Sequence, residues 1–283
     1  MTEVVTVGEP DTTSRGRFAL LRGQGLAGLL LVGVIVLAGL FAGLLSRQDP
    51  VTQITGANLL TPTAEHWLGT DELNRDVFAR VLHGLRVDLL IVFVAVPLAA
   101  VLGSAIGLLA GVNPLVDTVA QRVFDVVLAF PALILAIALA AITGPGAHAV
   151  IIVIVAAEVP VFGRQIRTAI LRVREQAFVE AAEVIGAGTW WTVRKHVLPN
   201  VSEPLAVQLA LSMSIAVAVD GAMSFIGLGV RPPQPSLGAV VAESVSNMDA
   251  NPAMAVGPLV VVAGLTLGFL LIAQGLGRAR RIG

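Results

Sequence analysis

Long uncharged apolar runs alternate with short polar segments along most of the chain. Each run is close to the roughly 20 residues that a helix needs to cross about 30 Å of hydrocarbon. We therefore predict an all-α, polytopic membrane protein with six transmembrane helices. The predicted crossings are residues 25–46, 89–110, 116–142, 149–170, 205–222 and 255–276.

The polar segment from residue 47 to residue 86 contains a predicted amphipathic helix that runs into the second crossing. Thr70 is its predicted N-cap, and Asp71 and Glu72 fall in the first turn, where the helix dipole favours acids. Apolar and charged side chains separate at helical spacing, which makes a helix along the membrane surface one interpretation. The apolar side holds Val77, Phe78, Val81, Leu82 and Leu85, and the polar side Arg75, Asp76 and Arg80.

The distribution of basic residues predicts the orientation of the crossings. With both termini in the cytoplasm, the cytoplasmic segments hold twelve Lys and Arg residues and the external segments hold five. This excess follows the positive-inside rule. The predicted parts are a cytoplasmic tail (1–24), the first transmembrane helix (25–46), an external segment (47–86) and a five-helix core (87–283) that includes a cytoplasmic loop at 172–200.

Composition supports a membrane protein and excludes several other classes. Hydrophobic residues make up 56% of the chain and charged residues 13%, against about 25% charged in typical soluble domains. The mean hydropathy is +0.87. Cysteine is absent, which excludes disulfides and thiolate metal sites, and the four histidines are scattered. A net charge of -1 gives no indication of nucleic-acid binding.

Small residues predict where helices approach one another closely. Gly103, Gly107 and Gly111 recur every four residues on the second crossing. Such spacing lets helix backbones meet in lipid, where apolar burial contributes little to association. Similar pairs are Gly39 with Gly43 and Gly264 with Gly268, and candidate kinks are Pro131 and Pro160.

A few ionisable residues fall inside the predicted crossings, where a charge is costly and usually faces the protein interior or a wet cavity. Arg122 and Asp125 stand three residues apart. They have three interpretations: a structural pair whose charges satisfy each other, a contact near the 172–200 loop, or part of a translocation path. Asp220, four residues before Ser224, is a candidate for an outer gate. Glu158 is predicted to face either a partner subunit or the pore.

The segment from residue 180 to residue 200 is a charged island between two apolar crossings. Its sequence, EAAEVIGAGTWWTVRKHVLPN, predicts a helix, a glycine elbow at residues 186–188 and a second short helix. Trp190 and Trp191 require burial, either at the membrane interface or against a partner. The island is therefore either a docking element or a membrane-anchored loop.

The spacing within this island resembles the EAA loop of permease subunits of bacterial ABC importers. The pattern is Glu-Ala-Ala, three residues, glycine, nine residues and then His-Val-Leu-Pro. Residues 66–89 and 224–236 also resemble the C-type subunit of dipeptide and oligopeptide importers. The resemblance implies a type I ABC-importer permease fold whose cytoplasmic coupling helix docks on an ATPase. The docking residues that it implies are Glu180, Ala181, Ala182, Gly186, Leu198 and Pro199.

The resemblance also implies partners and a mechanism. They are a second homologous permease, two cytoplasmic ATP-binding subunits and an external substrate-binding protein, with transport by alternating access in the cytoplasmic membrane. The chain has no Walker A sequence, and Lys195 is its only lysine. We therefore predict no enzymatic activity and no bound cofactor, with ATP and Mg²⁺ on the partner subunits.

The cargo is less firmly indicated by the sequence. Peptides are the first expectation, and nickel or another small solute is the alternative. Asn74, Val159, Gly163, Leu237 and Gln274 depart from the family's usual residues, which leaves the subfamily open. A stand-alone secondary transporter would require inverted repeats, which the sequence does not display. A membrane enzyme would require a catalytic cluster, which is also not evident.

Overall fold

A computed structural model describes residues 23–176, 195 and 198–282. Helices dominate this part of the chain, and its only β-type pairing is an isolated bridge between Thr70 and Asp76. The helices are α1 (Gln24–Leu40), α2 (Ala42–Leu45), α3 (Val77–Val112), α4 (Pro114–Ala129), α5 (Ala132–Thr143), α6 (Ala147–Arg174), α7 (Leu198–Phe225), α8 (Leu237–Val245) and α9 (Ala253–Ile282).

Four of these helices, α3, α6, α7 and α9, are long and apolar enough to cross a membrane. Helices α4 and α5 would form a fifth crossing if taken together, but they are bent by 100°. The expectation of one continuous helix over residues 116–142 is therefore wrong. Pro131 explains the break, because a proline disfavours helical geometry in the residue before it, and Phe130 is extended at φ -82° and ψ 132°. Helix α1, of 17 residues, corresponds to the predicted first crossing and is shorter than each of the four long helices.

Helix α3 begins six residues later than predicted, so the assignment of Thr70 as its N-cap is wrong. Asp76 is the N-cap, and its carboxylate accepts a hydrogen bond from the Ala79 amide at 2.7 Å. The Thr70 hydroxyl instead donates to the Ala57 carbonyl and accepts from the Leu60 amide. The Thr70 hydroxyl thus stabilises the loop before α3 and does not cap the helix. The local sequence does not predict these contacts.

The glycines of α3 lie where that helix meets α6, as predicted. A Cβ added to Gly107 would stand 2.2 Å from the Gly163 carbonyl oxygen, and one added to Gly103 would stand 2.5 Å from the Val159 oxygen. Both distances are shorter than any atom contact permits, so only glycine allows this approach. Gly268 similarly adjoins α1, whereas Gly43 faces open space and takes no part in helix packing.

The hydrophobic core lies between α3, α6, α7 and α9. Its buried members include Val92, Ala95, Val153, Met213 and Leu265. Many large apolar side chains on the outer faces of the helices remain exposed, especially along α1, α4 and α5. A membrane or a partner subunit must cover such surface, because contiguous apolar patches of this extent are rare on soluble monomers.

Candidate functional site

Four buried or half-buried charged side chains tie the segment before α3 to α8. We call Asp71, Arg75, Arg80 and Glu243 the Arg80 cluster. Arg75 Nε lies 2.7 Å from Asp71 Oδ2, and Arg80 Nη1 lies 3.3 Å from the same oxygen. Both arginines reach Glu243, at 3.0 Å from Arg75 and 2.8 Å from Arg80. Two positive and two negative charges therefore balance at the start of α3.

This geometry corrects the expectation that the polar side of the amphipathic helix faces water or lipid headgroups. Arg80 is only 2% exposed and Asp71 only 1%. Burial of a charge requires opposite charges and hydrogen bonds in return. The first turns of α3 are accordingly an interior element, covered on the polar side by α8.

Further polar contacts extend this attachment to the start of α9. His66 Nδ1 lies 2.7 Å from Asp76 Oδ2, and both side chains are buried. The Asn251 amide donates to the carbonyls of Leu60 and Leu68, each at 3.1 Å. Gly69 makes room for that amide, since a Cβ there would stand 2.3 Å from Asn251 Nδ2. The segment before α3 is thus fixed to both α8 and α9 by side-chain hydrogen bonds.

A second group of buried acids lies where α3, α7 and α8 meet. Asp88 Oδ2 accepts a hydrogen bond from the Leu237 amide at 2.9 Å, so a side chain on α3 caps the N-terminus of α8. Asp220 and Ser224, the candidate gate residues, are buried on α7, with their side-chain oxygens 3.5 Å apart. Gly238 allows α8 to lie close against α7, because a Cβ at Gly238 would stand 2.2 Å from the Gly221 carbonyl oxygen.

Glu158 lies between helices, with its side chain 5% exposed. Its carboxyl group accepts a hydrogen bond from the hydroxyl of Ser212, which is fully buried on α7. The contact joins α6 to α7, and the Gln208 side-chain amide also donates to the Ser212 hydroxyl at 3.2 Å. Whether Glu158, Asp220 or Ser224 contributes to a translocation path stays a prediction.

At the other end of the bundle, one exposed and one half-buried ion pair join α4 to α6. Asp125 Oδ1 lies 2.6 Å from Arg164 Nη2, and these side chains are 57% and 39% exposed. Asp117 pairs with Arg167, with a second contact of 2.6 Å between Oδ2 and Nη2. The idea that Arg122 and Asp125 satisfy each other is therefore wrong, since Asp125 turns to Arg164. The break at Pro131 leaves α4 lying against α6, which the linear pattern of the third crossing could not reveal.

The predicted coupling-loop residues Glu180, Ala181, Ala182 and Gly186 lie outside the described residues. Leu198 and Pro199 are the first residues of α7. The two helices that flank the loop are held together by the Gln165 side-chain amide, which donates to the Pro204 carbonyl at 3.0 Å. A groove beside this contact is lined by Arg164, Thr168, Arg172 and Val201. The docking role of the loop stays a prediction.

Among the described residues, no group of three or more potential ligands could hold a metal ion. Long apolar helices, glycine contacts between them and charged groups at both ends define a multi-pass helical membrane protein. The chain belongs to the family described as binding-protein-dependent transport system inner membrane component, which matches residues 103–281.

Individual relatives extend the match towards the N-terminus. The dipeptide transport system permease protein DppC of Alkalihalophilus pseudofirmus is 35% identical over 93% of this chain and 87% of its own length. A di/tripeptide transport system permease protein of Pseudomonas aeruginosa is 38% identical over 77% of this chain and 75% of its own length.

A solved structure has a similar fold. The MetNI methionine ABC transporter, in an inward-facing conformation, has a chain that matches with a TM-score of 0.57 at 22% identity. The match covers 72% of this chain and 96% of that one. At this identity the likeness shows the fold alone, which is that of an ABC-transporter permease.

Two features of the site were not evident from the sequence. Asp88 directly precedes the second predicted crossing, and Glu243 lies between the fifth and sixth; no local pattern predicts a role for either residue. The i,i+4 spacing of Asp71 and Arg75 was the one local signal for the Arg80 cluster. Glu243 is 163 residues from Arg80, so only the fold brings them together.

Proposed function

We propose that this chain is a transmembrane permease subunit of an ATP-driven importer that moves peptides of two or three residues across the cytoplasmic membrane. The observation that carries the proposal is the 35% identity to a dipeptide permease over 93% of the chain. A match of that length includes the segment before α3 as well as the helical core. Relatives named for dipeptides and for di/tripeptides favour small peptides over nickel or another solute.

In this proposal the chain crosses the membrane six times, with both termini in the cytoplasm. Helix α1, the α4–α5 pair and the four long helices supply the crossings. Basic residues are more numerous in the segments on the same side as the α6–α7 connection. This excess supports the cytoplasmic placement of both termini. The segment before α3 and helix α8 then lie on the external side, where a substrate-binding protein would deliver the peptide.

The energy for transport would come from outside the chain. A second homologous permease and two ATP-binding subunits complete the importer, and the loop around Glu180, Ala181, Ala182 and Gly186 docks in a groove of an ATPase. ATP-driven closure of the ATPases would move α6 and α7, since the loop connects the end of one to the start of the other. The resulting rearrangement of the bundle would alternate access to the peptide.

The test is ATP-driven uptake in proteoliposomes that contain this chain, its partner permease, the ATP-binding subunits and the binding protein. We expect uptake of a labelled dipeptide and not of Ni²⁺. Glu180→Arg should abolish uptake and reduce co-purification of the ATPase. Glu175→Arg is a matched control, since Glu175 is exposed at the end of α6, five residues before the motif.

Two results would contradict the proposal. Uptake of the dipeptide without any ATP-binding subunit would indicate a secondary transporter instead. Equal uptake by Glu180→Arg and Glu175→Arg would remove the docking role from the motif, while leaving the assignment as a permease intact.

A further inference from the structure

A pocket lies between α2, the segment before α3 and the first turn of α3. Its volume is about 240 Å³. Leu44 and Leu45 form one wall, Trp67 and Phe78 form another, and Arg47 and Glu65 contribute charges. No part of the transport mechanism described above uses this pocket.

Two charged side chains at the pocket, Arg47 and Glu65, are exposed and accessible to a ligand. Arg47 and Glu65 line the same pocket, yet neither forms a salt bridge within the part of the chain that the structure describes. The other acid at the pocket, Asp76, is already engaged by His66 and by the Ala79 amide. The pocket therefore offers one free cation and one free anion to a ligand.

The apolar walls continue into a lipid-facing surface. Along α1 and α2, one stripe of large apolar side chains is exposed at spacings of three and four residues and ends at the pocket. Its members are Leu30, Val34, Leu37, Phe41 and Leu44, of which Leu44 is 82% exposed. A ligand whose charged part occupies the pocket could lay an apolar tail along this stripe.

The aromatic side chains suit the boundary between hydrocarbon and water. Trp67 is 59% exposed and lies against Phe78, with ring centroids 4.8 Å apart. Tryptophan concentrates at the headgroup level, because its ring is apolar and its N–H group can reach polar partners. Trp67 and Phe78 both line the pocket, so one of its walls has the chemistry that suits headgroup depth.

We propose that this pocket binds the phosphoethanolamine headgroup of a phospholipid from the leaflet that adjoins residues 47–76. Arg47 binds the phosphate, for which a guanidinium provides paired donors. Glu65 accepts hydrogen bonds from the primary ammonium group, and the acyl chains follow the Leu30–Leu44 stripe. A headgroup with both a phosphate and an ammonium group matches the two free charges, whereas a purely anionic headgroup would leave Glu65 opposed by negative charge.

Native mass spectrometry of the full chain, delipidated in detergent and titrated with single lipids, tests the assignment. We expect phosphatidylethanolamine to bind more tightly than phosphatidylglycerol, or than phosphatidylcholine, which lacks ammonium protons. Arg47→Gln should weaken phosphatidylethanolamine binding about fivefold, as expected for one charge-assisted contact at a partly exposed site. Glu65→Gln should remove the preference over phosphatidylglycerol.

Arg231→Gln is the matched control, because Arg231 is an exposed arginine on a loop remote in sequence from the pocket. Thermal unfolding of each variant without added lipid establishes that it is folded. Equal affinity for the three lipids, or equal losses in Arg47→Gln and Arg231→Gln, would mean ordinary annular lipid and overturn the proposal.

A soluble competitor separates a lipid site from a site for a free phosphate compound. Glycerophosphoethanolamine has the same headgroup without acyl chains. We expect it to displace phosphatidylethanolamine only at concentrations far above that of the lipid, because it cannot use the apolar stripe. Displacement at equal concentrations would overturn the lipid assignment in favour of a site for small soluble phosphates.

Discussion

The two ends of the helix bundle both hold ion pairs, but the pairs differ in burial and in connectivity. The Arg80 cluster has four members, and Arg80 is 2% exposed. The Asp125–Arg164 pair joins only two side chains, 57% and 39% exposed. Buried charges depend strongly on their partners, whereas exposed pairs contribute about 0–1 kcal/mol. The Arg80 cluster is therefore fixed by its charges, whereas the Asp125–Arg164 pair is free to exchange its partners.

This difference in burial agrees with the proposed mechanism, in which closure of the ATPases moves the ends of α6 and α7 that flank the loop. The segment before α3, α8 and the start of α9 form one attached body through the Arg80 cluster and Asn251. The α4–α6 contacts involve α6, the helix that leads in sequence to the loop that would receive movement from an ATPase. Pairs of low stability can break and reform there at small cost, which a moving part requires.

Arg80→Gln should have the largest effect, because it removes one of the two cations that balance Asp71 and Glu243 and leaves Arg75 alone between two buried or half-buried carboxylates. Breaking a buried pair by removing one member typically costs about 3–5 kcal/mol. We expect a loss of that order in the free energy of unfolding, measured by denaturant titration in detergent micelles. A loss below about 1 kcal/mol would show that the cluster is no more than a surface ion pair.

A double variant sharpens this result. Arg80→Gln combined with Glu243→Gln leaves Asp71 and Arg75 as a neutral pair. The combined loss of stability should therefore be smaller than the sum of the two single losses, by about 1–3 kcal/mol for directly interacting side chains. Additive losses in the same titration would mean that Arg80 and Glu243 act independently.

Asn251→Ala should cost about 1–3 kcal/mol, which is the usual penalty for leaving buried polar groups without partners. The change would remove a donor from the carbonyls of Leu60 and Leu68, of which the Leu60 carbonyl keeps its bond from the Thr70 amide. Limited proteolysis of the segment before α3 should become faster than in the unaltered chain. Asn247→Ala is the control, since Asn247 is half-buried and its contacts are longer, at 3.3 Å each. Equal proteolysis in both variants would contradict a special role for Asn251.

The sequence predicted the apolar elements better than it predicted the contacts between them. Long apolar runs fix α3, α6, α7 and α9, because their length alone matches a bilayer. The α4–α5 break follows from Pro131, but its angle of 100° does not, since it depends on what α4 packs against. Thr70 and Arg80 were misassigned for one reason: their partners lie in a folded loop and on α8, and local spacing does not encode these contacts. The docking residues around Glu180 lie outside the described part of the chain and remain predictions.

Asp125→Asn should have the smallest effect, and the effect should depend on salt. The Asp125–Arg164 pair is exposed, so we expect a loss of about 0–1 kcal/mol at low ionic strength. Mobile ions screen exposed charges over about 10 Å at 0.1 M salt, so the loss should disappear at higher concentration. The loss caused by Arg80→Gln should persist at the same concentration, because its partners are shielded from solvent. If both losses vanish together as salt is raised, the contrast between a fixed end and a movable end of the bundle is wrong, whatever their separate magnitudes.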